Sequence, residues 1–280
     1  MKKKKKGKRG RFLPTLFLIL ILILLAGIAY YSFYPDVSKL KRENPRKTAF
    51  MEYRQKERQA QGKKFFIQQK WVPLSKVSPY LVKAVLIAED DKFWKHEGFD
   101  FDAIQKAVER DLKEGKLKFG GSTISQQLVK NLYLSPSKNP VRKIQEAVIT
   151  WRMERTLPKR RILEIYLNVV EWGEAIFGVE AAAHLYYAKP AAALSAEEAS
   201  RLAVVLPNPL KYKVKGGSAY VEKRAAVIYQ IMVKRGIVIP QYEELRAVQE
   251  NGQQPDAPAP GEAPAEGNAP RPQPDRRENF

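Results

Sequence analysis

The chain has 280 residues, with 50 basic against 30 acidic side chains, a net charge of +20 and no cysteine. The missing cysteine excludes disulfides, thiol catalysis and cysteine-ligated zinc, and two histidines argue against a histidine-based metal site. The charge favours an anionic partner, whether nucleic acid, a membrane surface or a phosphorylated substrate, without choosing among them.

At the N-terminus Lys2 to Lys6, Lys8, Arg9 and Arg11 precede an uncharged apolar run from Leu16 to Tyr34. Extended by Leu13 to Thr15, the run is long enough for a hydrocarbon core of ~30 Å at ~1.5 Å per residue. Tyr30, Tyr31 and Tyr34 cluster at its far end, where aromatic rings favour the interface. This predicts a basic cytoplasmic segment over 1–12 and a transmembrane helix over 13–34. By the positive-inside rule, everything after Pro35 lies outside the cytoplasm. A cleaved signal peptide fits less well: the run exceeds an h-region of ~7–15 residues, and no small-x-small site follows.

Residues 35–64 read as a charged stem, with Pro45 placed to open a helix after Asn44 and a polar, surface-lying helix from Ala49 to Ala60. Helical apolar periodicity is dense from Phe65 to Gly236, as in Leu81, Val82, Val85 and Leu86, or Ile124, Leu128 and Leu132. Ile162, Ile165 and Tyr166 continue it. Only Lys64 to Trp71 looks extended. The expectation is one mainly α domain over 65–250, followed by a disordered Pro/Ala-rich tail over 251–280.

Three segments of this domain can carry chemistry. Glu89, Asp90 and Asp91 close an apolar helix and run into Phe93, His96 and Gly98. A carboxylate at the end of a hydrophobic element can be desolvated, and so become a better base. Gly120 and Gly121 lead through Ser122 and Thr123 into a helix bearing Gln126, Gln127 and Lys130. Free backbone N–H groups at such a start suit an anion, although no Gly-Lys-Ser/Thr closes the pattern. Arg142 and Glu146 share a helix face at i and i+4. Singly, these segments are weak signals, and a solvated helix end, an ordinary helix start and a surface ion pair are their default explanations.

Their order and spacing are more specific. Glu89-Asp90-x-x-Phe93-x-x-His96-x-Gly98, then Gly120-Gly121-Ser122-Thr123-Ile124-Ser125-Gln126-Gln127, then Arg142-Lys143-x-x-Glu146 resembles glycosyltransferase family 51. Arg161-Ile162-Leu163-Glu164-Ile165-Tyr166-Leu167-Asn168 and Leu206-Pro207-Asn208-Pro209 match two later motifs. The family includes free-standing monofunctional enzymes and the glycosyltransferase modules of bifunctional penicillin-binding proteins.

The resemblance implies a lysozyme-like, two-lobed helical domain behind the single transmembrane helix, on the outer face of a bacterial inner membrane. It implies peptidoglycan polymerisation: lipid II accepts a growing glycan chain from undecaprenyl pyrophosphate, with inversion, in a β-1,4 linkage. Glu89 matches the family's base and Glu146 its second essential acid. For Glu146 two roles stay open: holding a divalent cation, Mg2+ or Mn2+, or orienting the basic side chains around the pyrophosphate. Asp90, Ser122, Thr123, Gln127, Lys130, Lys138, Arg142 and Asn168 are carried over as substrate-binding residues. Lys138 stands where many relatives have arginine, and supplies charge without a bidentate fork. Lys113 to Phe119 correspond to a mobile region of the family, suited either to lipid contact or to a plain flexible loop.

Ser135-Pro136-Ser137-Lys138 spells a Ser-x-x-Lys pattern inside these motifs and reads as coincidence, so the expected enzyme is monofunctional. Cell-wall synthesis or division proteins are candidate partners, and nucleic acid is not. A lytic lysozyme-like hydrolase and a membrane-tethered wall-binding scaffold are the alternative readings.

Overall fold

The computed structural model describes residues 12–115, 121–134, 136, 139–216 and 219–240. The elements below fall within one unit, Met1–Val238. The expectations for the basic leader, Lys138, residues 116–119 and the tail lie outside the described residues.

Helix α1 (Phe12–Tyr31) is apolar and uncharged, and no residue over Pro14–Tyr31 is fully buried, although its end touches α6 and Tyr31 packs partly against the core. Twenty residues of helix span about 30 Å, so the helix is compatible with a membrane anchor.

The segment read as a stem is part of the helical body. Val37 and Leu40, in a short 3-10 turn (Val37–Lys41), and Met51 on α2 (Ala49–Ala60) are buried in the hydrophobic core. Helix α2 has the expected bounds, but Thr48 opens it by accepting the Met51 N–H at 3.1 Å, and Pro45 precedes it. The short side of α2 that carries Met51 supplies enough apolar contact to seat it against α5 (Ile124–Tyr133). Arg54 then pairs with the buried Glu171 at 2.9 Å. Arg161 ties the same segment down by donating to the carbonyl oxygens of Leu40 at 2.8 Å and Glu43 at 3.0 Å.

Helix α3 (Pro79–Glu89) begins with proline at its first turn, and its buried Leu81, Ala84 and Val85 fall on one stripe. Helices α9 (Ala196–Val205) and α10 (Ala219–Lys234) pack with α3 as one group. Ser195 starts α9 with a capping box completed by Glu198. A second group is built on α5, which packs against α6 (Pro140–Thr156), α7 (Lys159–Val169) and α2. Between α3 and α5 in sequence runs α4 (Phe101–Glu114), capped by Asp100 and ended by Gly115 in the left-handed region. Of its residues only Ala107 is buried, while Phe101, Val108 and Leu112 stand exposed.

Extended structure is scarce, as expected, and smaller than the Lys64 to Trp71 segment suggested. Strand β1 (Gln68–Gln69) runs parallel to β3 (Ile176–Phe177), which pairs antiparallel with β2 (Glu171–Gly173). Gly178 follows β3 at a φ of +81°, and a Cβ there would stand 2.6 Å from the Asn168 carbonyl oxygen. Only glycine fits both demands, and α8 (Val179–Tyr187) starts from it.

Candidate active site

Glu89 is the last residue of α3. Its Oε2 accepts the Gln127 Nε2–H at 2.8 Å, and its Oε1 is buried with no hydrogen-bond partner among the described residues. Burial pushes the carboxyl above the usual carboxylate range, opposed by the Gln127 N–H and by the charge of Lys130. This is the balance a general base needs: desolvated enough to hold a proton, yet kept in reach of ionisation.

Gln127 and Lys130 come from α5, three residues apart on one face. Gln127 is held at its other end, where Oε1 accepts the Tyr166 hydroxyl from α7 at 3.0 Å. Lys130 is largely buried. That burial lowers its pKa, with Glu146 acting in the opposite direction and Arg142 and Lys143 reinforcing the fall.

Glu146 is buried on α6, with Arg142 Nη1 at 2.7 Å from Oε2 and Lys143 Nζ bonded to Oε1. Asn139 and Pro140 start α6, so this pair lies within its first two turns. Arg142 and Lys143 pair with this carboxylate and Lys130 feels its charge, so the cluster keeps a positive excess suited to a phosphate group.

The donor set does not fit a resident divalent cation. Both Glu146 oxygens are engaged by cationic groups, and no cluster of three metal-binding side chains exists among the described residues. A protein-held Mg2+ or Mn2+ would have to displace those cations.

Several residues expected at the substrate make hydrogen bonds inside the protein. Asp90 is buried, accepting His96 Nε2–H at 2.9 Å and the Ile124 N–H at 2.9 Å. The tautomer of His96 follows, because its Nδ1 accepts the Gly98 N–H at 3.0 Å. Thr123 caps α5, accepts the Gln126 N–H and donates its hydroxyl to Gly98 O at 2.7 Å. Gly98 must be glycine: at φ +93° its Cβ would approach Thr150 Cγ2 to 2.9 Å. Gln126 completes the Thr123 capping box and is buried.

Asn168 is fully buried far from these groups in sequence. Its Oδ1 accepts the Val72 N–H at 2.9 Å, and its Nδ2 donates to Val72 O and Glu164 O at 2.8 Å each. These side chains bolt the site's helices together, and their polar atoms are taken up by the protein itself. Ser122 stays exposed, with Lys143 Nζ 3.5 Å from its Oγ.

The arrangement thus joins a desolvated carboxylate to a cationic cluster through α5. A family model described as Transglycosylase matches residues 58–233. The chain belongs to the transglycosylase family. This transglycosylase is 45% identical over 228 residues to a biosynthetic peptidoglycan transglycosylase of Nitrosospira multiformis, covering 81% of this chain and 99% of that protein. It is 52% identical over 174 residues to the protein of that name from Aromatoleum aromaticum, covering 62% and 76%. With the one from Methylobacillus flagellatus it shares 47% over 194 residues, covering 69% and 85%.

Three groups of the transglycosylase site have no role assigned from the sequence, although Lys143 and Tyr166 stand in the motifs quoted above. Lys143 belongs to the cationic cluster, and its place at i+3 from Glu146 was the available signal. Arg224 on α10 acts on Glu89 by charge, and nothing in its sequence neighbourhood marks it. Tyr166 was read as part of an apolar stripe, which describes its ring and not its hydroxyl.

Proposed function

We propose that this transglycosylase polymerises the glycan strands of peptidoglycan, with Glu89 as the base and Lys130, Arg142 and Lys143 as the pyrophosphate-neutralising set. The observation that carries the reading is the buried, unpartnered Glu89 Oε1 beside the Lys130 side chain. The acceptor's 4-hydroxyl oxygen attacks C1 of the donor sugar while its proton passes to Glu89. The C1–O bond to the pyrophosphate breaks with its electron pair on the leaving oxygen. The anomeric centre inverts from α to β. Pyrophosphate is already a good leaving group, so it needs charge compensation and not a second proton donor.

A lytic hydrolase is the less favoured reading. It requires its key carboxyl as an acid and has no use for three cations at the leaving-group side. Lys138 is carried over with the same cationic role. A divalent cation, where the reaction uses one, would supply further charge compensation to the leaving pyrophosphate. The lipid-linked substrate and helix α1 together support catalysis at the outer face of a bacterial inner membrane, with the N-terminus cytoplasmic.

The test is polymer synthesis from labelled lipid II by the full chain in detergent, beside Glu89→Gln. Muramidase-digestible polymer from the parent and none from the variant supports the reading. A folded parent that makes no polymer overturns it.

A further inference from the structure

We propose that Tyr166 is a positioning residue for Glu89: its hydroxyl locks the Gln127 side-chain amide so that an N–H, and not a carbonyl, faces the carboxylate. The inference rests on the reading of Glu89 as the base and adds the device that keeps it one.

An amide side chain can occupy its site in two orientations that differ by exchange of oxygen and nitrogen. Gln127 lies between Tyr166 Oη, 3.0 Å from its Oε1, and Glu89 Oε2, 2.8 Å from its Nε2. Only the observed orientation gives an ionised Glu89 a donor. The reversed one would set the amide carbonyl against the carboxylate, an arrangement tolerable only when Glu89 carries a proton. The choice between the two is therefore also a choice between a base and an acid.

Tyr166 makes that choice. Its side chain is fully buried on α7, and Gln127 Oε1 is the one hydrogen-bond acceptor its hydroxyl has among the described residues. Burial, with the nearby Glu89 charge, drives the phenol well above its ordinary pKa, so it stays protonated and must donate. In the reversed orientation the amide N–H would face the hydroxyl, and the phenolic hydrogen would be left without an acceptor in a dry site. Losing one buried hydrogen bond in this way disfavours the reversal about tenfold or more.

The groups that act on Glu89 by charge are Lys130 from α5, Arg224 from α10 and Asp90 at the end of its own helix. The buried residues of α9, which packs on α3, are uncharged. None of these groups hydrogen-bonds Gln127; beside Glu89 and Tyr166, the one further partner of its side-chain amide among the described residues is the Ser122 carbonyl oxygen, which accepts the Nε2–H at the longer distance of 3.5 Å and so holds the amide less firmly than the Tyr166 hydroxyl at 3.0 Å.

The experiment uses the full chain with Tyr166→Phe, Gln127→Met and the double variant. Phenylalanine keeps the ring in the core and removes only the donor. Polymerisation by Tyr166→Phe is expected to show kcat lower by about tenfold, with KM unchanged and the acid limb of its pH profile moved upward. Gln127→Met should shift that limb the same way, and the double variant should match Gln127→Met alone. The Glu89 carboxyl titration, followed by 13C NMR in the same proteins, should rise in each variant and needs no turnover. A Tyr166→Phe protein with the parent's kcat and Glu89 titration overturns the proposal, as do losses that simply add in the double variant. A parent that makes no polymer sinks the polymerase reading, while the titration still decides the role of Tyr166.

Discussion

Arg142 and Glu146 meet at 2.7 Å one turn apart on α6, and the same carboxylate also holds Lys143. Glu146 is therefore the counter-charge that allows Lys130, Arg142 and Lys143 to share one side of the site.

Removing that counter-charge has a signed consequence. Lys130 already titrates below the ordinary lysine range because it is buried, and Glu146 opposes the fall. In Glu146→Gln the Lys130 pKa drops further, so the alkaline limb of activity moves to lower pH. Stability should fall by about 2 kcal/mol, less than the ~3–5 kcal/mol of a fully buried pair, because Lys143 is half exposed. Urea unfolding and a rate–pH profile measure the two effects. An unchanged alkaline limb rejects the assignment to Lys130.

Glu89→Gln should trade activity for stability. The folded-state pKa of Glu89 is raised, so its stabilising contribution is complete below the unfolded value and lost as pH rises through the folded value. At neutral pH the parent therefore carries a penalty that the amide lacks. The variant is expected to melt higher by roughly 2–4 °C near pH 7.5 and level with the parent near pH 4. Melting curves across pH check this. Equal midpoints at every pH would show that the carboxylate is solvated.

Asp90→Asn tests the internal latch. The amide can satisfy one of the donors now facing Asp90, His96 Nε2–H and the Ile124 N–H, but not both with full charge. A loss of about 2–3 kcal/mol is expected, together with reduced turnover as α5 shifts relative to Glu89. Asn168→Ala should cost a similar amount through its three hydrogen bonds. It should leave KM alone if its role is the structural one described above. A large KM effect with unchanged stability would restore it to the substrate.

Much of this was legible in the sequence, for identifiable reasons. The stripes in α3 and α5 declare their helices, and the i, i+4 spacing of Arg142 and Glu146 already puts them together. What the sequence could not give was direction. Asp90 and Thr123 sit beside Glu89 and Gln127 in their motifs, yet their side chains turn inward to His96 and Gly98. Neighbours in a motif need not face the same space. The burial within the stem segment is hard to read because its charge is conspicuous, whereas Val37, Leu40 and Met51, which join the core, are few and scattered. Arg224 could not be found from sequence at all, since only the packing of α10 on α3 brings its charge to bear on Glu89.

Arg152→Ala tests the junction with α1. The Arg152 guanidinium donates to the carbonyl oxygens of Tyr31 at 3.0 Å and Phe33 at 2.9 Å, where the apolar helix ends. The variant should melt lower by about 2–4 °C in detergent. Arg155→Ala, which removes a cation lying 4.4 Å over the Trp151 ring, should shift it by less than about 2 °C. Equal shifts would deny the junction any special hold.

That junction gives α6 the character of a gauge. Arg152 grips the end of the apolar helix, and Glu146 lies six residues earlier on the same rigid rod, about 9 Å along its axis. With α1 in a bilayer, as proposed above, the separation of the cationic cluster from the end of that helix would be set by helix geometry and not by a slack tether. Under the proposed function, a lipid-held pyrophosphate would meet the cluster at one level, and inserting a single residue between positions 146 and 152 would shift and rotate the cluster relative to the Arg152 grip.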